Sequence, residues 1–254
     1  RGYTREAGVR GLERYMNTIA RKIATEVVTN DIEKGKKFSV TEKVMVKYLG
    51  PVLIESTVIG DKSEIGLVNG LAWTSVGGEL LNIEVVTVPG VGKIQVTGKL
   101  GEVMQESAKA ALSYVRSISD RLGVDHEWYN KHDIHIHVPD GSTPKDGPSA
   151  GITMATALTS AIANIPVRQD VAMTGEISLR GRVMPIGGLK EKLLAAKQAG
   201  VQTIIIPKKN EKDLIKIADE IKSGLDIHPV SEAETVLKIA LDHVKPQDFM
   251  KERG

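Results

Sequence analysis

The sequence contains no cysteine, which removes disulfides, thiolate nucleophiles and zinc–thiolate sites at once. No apolar run approaches the roughly 18 residues needed to span a bilayer. The opening Arg1-Gly-Tyr-Thr-Arg-Glu6 lacks the short apolar core of a secretory signal. Neither sign of charge dominates: the formal net charge is +2, too small to leave the electrostatic footprint of a nucleic-acid binder. A complete nucleotide-phosphate loop is missing too. Between Gly92 and Lys99 five residues separate the glycines, and Leu100 stands where a hydroxyl should follow the lysine. These absences point to a soluble intracellular protein with no membrane partner.

What remains is the composition of an ordinary globular protein. The 254 residues are 41% apolar and 26% charged, enough for one large or two modest domains with a hydrophobic core. Val9, Leu12, Met16, Ile19, Ile23 and Val27 recur at the spacing of one helical face, and Asn30 to Lys37 interrupts it. A short piece, Val40 to Leu49, stops at Gly50-Pro51. Residues 1–57 are too few and too helical for a core of their own, and they read as the end of something larger.

From about residue 58 strands take over. Leu67 to Thr74 alternates, Val76-Gly77-Gly78 marks a turn, and Glu79–Val88 and Ile94–Leu100 are further β-rich runs. A helix is expected from Met104 to Leu122 with Gly123 behind it, then a strand at Ile134–Val138 and a loop over Pro139–Pro148. Helices near 149–163, 189–199 and 210–222 should alternate with strands at 171–174, 176–186, 203–206 and 225–230, before a closing helix to about 243. The tail from Lys245 should fray. Strands first and βα units afterwards imply a mixed α+β domain with flanking helices, not a doubly wound sheet.

Chemistry can sit in the loop Thr143-Pro-Lys-Asp-Gly-Pro-Ser-Ala-Gly151. Pro148 suits a first helical turn, so Ser149 falls at a helix N-terminus, where free N–H groups favour developing negative charge. Gly147 and Gly151 let a substrate backbone approach. A serine in that place can equally be a helix cap.

A serine nucleophile needs a base. His135 and His137 share a strand face and could be ligands, a base, or simply core or interface residues, but no third ligand stands at metal spacing beside them. Lys192 is the stronger candidate. On a helical wheel it falls inside the arc of Leu189, Leu193, Ala196 and Ala199, opposite Lys190, Glu191, Lys197 and Gln198. A lysine there loses hydration and its pKa falls, as a neutral amine base requires, unless it snorkels past the helix edge to water.

Three longer motifs carry a resemblance. Pro144-Lys-Asp-Gly-Pro-Ser-Ala-Gly151, Met173-Thr-Gly-Glu-Ile-Ser-Leu-Arg-Gly181 and Pro185-Ile-Gly-Gly-Leu-Lys-Glu-Lys-Leu193 are similar to the signature of Lon protease domains, from about residue 60 to 243. The resemblance implies a Lon-type α+β proteolytic domain over 58–254, with Ser149 as nucleophile and Lys192 as its partner, a serine endopeptidase dyad. It implies that Thr174 holds the lysine, that Asp146, beside Gly147, can engage or block it, and that Trp73 and Glu84 border a substrate groove; Trp73 could equally be core. Residues 1–57 resemble the helical end of an AAA+ module, in which the Arg10 position senses nucleotide. The family further implies a homohexamer that degrades misfolded and regulatory proteins in the bacterial cytoplasm or an organelle matrix. ATP and magnesium would serve the full-length enzyme, and no cofactor the proteolytic domain. An alternative is a non-proteolytic Lon-like scaffold or nucleic-acid-binding module. The 23 basic and 25 acidic residues of 58–254 disfavour it.

Overall fold

The computed structural model describes residues 2–4, 6, 8–31, 37–53, 59–74, 77–139 and 145–242. They divide into two compact units, one within residues 1–57 and one that holds the remainder apart from Gly77. In the first unit α1 (Arg10–Thr29) and α2 (Glu42–Leu49) pair. The Lys22 ammonium donates to the Tyr48 carbonyl at 2.6 Å, and the Tyr48 hydroxyl donates to Glu26 at 2.7 Å. The apolar stripe of α1 is real but uncovered within its unit: Met16 is 62% exposed.

The second unit is built on a seven-stranded sheet. Its strands are β1 (Leu67–Thr74), β2 (Gly77–Pro89), β3 (Ile94–Thr97), β4 (His132–His137), β5 (Val171–Met173), β8 (Thr203–Pro207) and β9 (Asp226–Val230), in the order β3-β4-β2-β1-β5-β8-β9. The pairs β1–β5, β5–β8, β8–β9 and β3–β4 are parallel, and β2–β4 is antiparallel. The early strand-rich half and the later βα half thus merge into one mixed, mostly parallel sheet.

Alternation sends side chains to both faces. Val171, Met173 and Ile205 join one core cluster with α3 (Glu102–Ser117), α6 (Gly151–Ala163) and α9 (Ala233–Ala240). Ala172, Ile204 and Ile206 join another with Leu71 and α7 (Leu189–Ala199). All five residues of β8 are buried, as expected for a strand covered on both faces. Helix α6 is apolar nearly all round, and two of its threonines turn their hydroxyls back onto the helix: Thr156 donates to Ile152 O and Thr159 to Ala155 O, both at 2.8 Å.

Three elements differ from the sequence expectation. The helix expected from Met104 to Leu122 breaks at Ile118 into α3 and α4 (Ser119–Leu122). The strand expected over 176–186 is a hairpin of β6 (Glu176–Ile177) and β7 (Val183–Met184), because Ser178 closes a turn with Gly181 and Arg182. The helix expected over 210–222 is a 3-10 stretch, Lys208–Lys216, followed by α8 (Asp219–Lys222). There Asn210 spends its side chain on Ile186. A further short helix, α5 (Trp128–Lys131), precedes β4. Val76 of the expected turn, most of the 139–148 loop (140–144) and the tail from Lys245 lie outside the described residues. Among the described residues no helix is long and apolar enough to cross a membrane.

Candidate active site

Ser149 lies in a 3-10 turn, Pro148–Ala150, that runs directly into α6. Gly151 starts that helix against β6, where an added Cβ would come within 2.7 Å of Ile177 N, so only glycine lets the turn sit so close. The turn is fastened to the next segment by reciprocal backbone bonds. Gly175 N donates to Ser149 O at 2.8 Å, and Ile152 N donates to Gly175 O at 3.0 Å. Among the described residues the Ser149 hydroxyl has no hydrogen-bond partner, so it does not cap its helix.

Lys192 sits one turn into α7 and is 2% exposed. Its neighbours in the buried arc are Leu189, Leu193 and Ala196, as the helical wheel requires, while Lys190 and Lys197 face out. The snorkelling alternative does not hold. Burial alone pushes the Lys192 amine down from the ordinary lysine value to about 8. Its Nζ donates to Thr174 Oγ1 at 3.0 Å, and Thr174 Oγ1 in turn donates to Ser149 O at 3.3 Å. Thr174 is fully buried after β5, and its own N–H is anchored on Ile205 O of β8 at 3.1 Å.

Ser149, Thr174 and Lys192 are therefore joined by one chain of hydrogen bonds. Asp146 is turned elsewhere: its Oδ1 accepts from Met104 N at 3.0 Å and from Gly147 N at 2.9 Å, capping α3. Gly147, with φ at +128°, makes the bend between that cap and Pro148. Trp73, near the end of β1, is 59% exposed and is no core residue. It lies over Gly188, the left-handed residue that starts α7, where a Cβ would meet its ring at 2.8 Å. Glu84 is exposed on β2, opposite His137 in the register with β4. Arg10 is exposed at the first turn of α1, in the other unit.

His135 and His137 share a face as their spacing implies, and each has a ring nitrogen on the Thr97 hydroxyl, at 2.8 and 2.7 Å. Among the described residues no group of three or more His, Asp or Glu side chains is gathered as a metal site. Two contacts of the Ser149 loop escape a reading of the sequence. Ser107 of α3 donates to Pro148 O at 3.3 Å, and the Lys145 ammonium donates to Pro139 O at 2.8 Å. Nothing in the periodicity of α3 distinguishes Ser107 from any other serine at its margin.

A family model of the Lon protease C-terminal proteolytic domain matches residues 39–243, and one of the Lon protease AAA+ ATPase lid domain matches residues 1–38. The chain belongs to the Lon protease family. It is 56% identical to Lon protease 1 of Syntrophobacter fumaroxidans over 98% of the chain and 30% of that protein. It is 52% identical to Lon protease 1 of Myxococcus xanthus, over 97% of the chain and 30% of that protein. With Lon protease of Chloroflexus aggregans the identity is 50%, over 96% and 30%. The chain thus spans about 30% of the length of the curated relatives it matches. Within the Lon match, Ser149, Thr174 and Lys192 fall in the proteolytic part and Arg10 in the lid.

Proposed function

We propose that this chain is the peptide-cleaving part of an ATP-dependent Lon protease, a serine endopeptidase with Ser149 as nucleophile and Lys192 as general base. The observation that carries the reading is the buried Lys192 amine, with its pKa brought to about 8 and its Nζ held on Thr174, which itself reaches the Ser149 backbone. A scaffold gains nothing from an amine desolvated in this way.

In the proposed reaction neutral Lys192 takes the Ser149 hydroxyl proton while Oγ attacks the scissile carbonyl. The oxyanion that forms meets the N-terminal end of α6, whose dipole favours negative charge. Collapse of the tetrahedral adduct breaks the C–N bond, and the Lys192 ammonium returns its proton to the leaving amine. Water then cleaves the acyl-enzyme with Lys192 as base once more. Thr174 accepts one amine hydrogen throughout, which leaves the nitrogen lone pair for Ser149. Trp73 and Glu84 border the substrate groove in this reading, and Asp146 is the loop group that can engage Lys192 when it leaves α3.

The proteolytic domain needs no cofactor. ATP and magnesium serve the full-length enzyme, a homohexamer of the bacterial cytoplasm acting on misfolded and regulatory proteins, and Arg10 belongs to its nucleotide-sensing lid. Unfolding a stable substrate domain costs about 5–15 kcal/mol, and this chain carries no complete phosphate-binding loop to draw on ATP. Degradation of a folded reporter and of its unfolded form, each with and without ATP and magnesium, tests this. The chain should cut the unfolded form slowly and leave the folded one intact under both conditions. ATP-dependent loss of the folded reporter would overturn it.

A further inference from the structure

Asn210 is 4% exposed, three residues beyond the end of β8. Its Oδ1 accepts from Ile186 N at 2.9 Å and its Nδ2 donates to Ile186 O at 2.9 Å, so one carboxamide satisfies both backbone groups of one residue. A third bond, from Nδ2 to Asp213 Oδ2 at 2.7 Å, fixes which way the amide faces. Rotating it by half a turn would set N–H against N–H and oxygen against two oxygens.

Ile186 stands just before Gly188, the residue from which α7 begins. Among the described residues no side chain caps that helix start, and its first turn is closed by Lys192 N donating to Gly188 O at 3.1 Å. The route from the Asn210 amide to Lys192 is therefore two residues of backbone and one helical turn. The other half of the Lys192–Thr174 hydrogen bond hangs from the same strand, because Thr174 N donates to Ile205 O. Amine and hydroxyl are thus referenced to β8 and to the segment that follows it, Thr174 through the main chain of Ile205 and Lys192 through Asn210.

We propose that Asn210 is a positioning residue for Lys192: its two-point clamp on Ile186 sets the start of α7 and thereby the placement of the amine against Thr174 and Ser149. The inference rests on the reading of Lys192 as the base. A helix start displaced by a fraction of an ångström would leave α7 folded and its apolar arc buried, yet would spoil the alignment of amine, hydroxyl and serine.

Asn210→Asp keeps the size and the acceptor for Ile186 N. It loses both donors and turns carboxylate oxygens toward Ile186 O and Asp213. Asp213→Ala is the milder variant, releasing the amide without removing it. Both are compared with the unaltered 254-residue chain and with Lys192→Arg by cleavage of a short fluorogenic peptide across pH, with thermal melts as the folding control. Asn210→Asp should lower kcat by about tenfold or more, leave KM within about twofold, and displace the midpoint of the pH profile by about half a unit or more. Asp213→Ala should move kcat and midpoint in the same direction by less. A folded Asn210→Asp with unaltered kcat and midpoint, beside an inactive Lys192→Arg, overturns the clamp alone. An active Lys192→Arg overturns the base and the clamp with it. Should Asn210→Asp not fold, Asp213→Ala decides, and unaltered kcat and midpoint in that variant overturn the proposal.

Discussion

Lys192 and Thr174 meet in a buried hydrogen bond of 3.0 Å, the ammonium nitrogen of one on the hydroxyl oxygen of the other. Its neighbours on the buried arc of α7, Leu189, Leu193 and Ala196, are aliphatic, and desolvation is the sole cause of its lowered pKa. A lysine held this way is poised between its two protonation states close to neutrality, and the consequences are measurable.

Activity should depend on the neutral amine. The folded-state pKa lies near 8, so cleavage of a short peptide should rise with pH through that value and level off above it. Lys192→Arg should be inactive throughout, since a guanidinium stays charged at all working pH. The check is a kcat/KM profile for both forms; an active arginine variant, or a profile governed by His135 or His137 substitutions, would contradict the assignment.

The same burial should cost stability. Lys192 ionises near 8 when folded and near 10.5 when unfolded. Between those values the unfolded chain binds the extra proton, so stability should rise with pH across that window, and the full penalty should stand below it. Lys192→Met should therefore be inactive yet more stable at pH 7 by about 1–3 kcal/mol. Its advantage over the unaltered chain should shrink from pH 8 toward 10.5. Denaturant unfolding at several pH values reads this directly, and a less stable methionine variant would contradict it.

Thr174 should act through Lys192 and not through substrate affinity. Thr174→Val removes the acceptor and leaves the amine without a partner. We expect kcat to fall by about tenfold or more with KM little changed, and Thr174→Ser to recover most of the loss. Equal losses in the serine and valine variants would make Thr174 a packing residue.

Much of this site is legible in the sequence because it follows from local rules. The apolar arc of α7 places Lys192 inside, and Pro148 followed by an apolar periodic run places Ser149 at a helix start. What was not legible depends on contacts distant along the chain. Asn210 looks like part of a polar helix over 210–222, and only the folded chain brings it to Ile186, 24 residues earlier. The hairpin of β6 and β7 was hidden for a related reason: the run from 176 to 186 is apolar enough for one strand, and the turn depends on Ser178 and on Gly181, which presses against the Tyr114 ring. Asp146 stands next to Gly147 in a loop rich in turn residues, so its role as the cap of a helix begun 44 residues earlier could not be read locally.

The central claim is that Ser149 attacks the peptide bond, and one experiment tests it most directly. The 254-residue chain and its Ser149→Ala form are given the same fluorogenic peptide, and each is treated with a peptide boronate and weighed intact by mass spectrometry. The Ser149 hydroxyl has no hydrogen-bond partner among the described residues, so the alanine form should fold and melt as the unaltered chain does. It should cut no peptide and carry no boronate, while the unaltered chain cuts the peptide and carries one boronate on the Ser149 oxygen. Cleavage by the folded alanine form at the unaltered rate would contradict the account.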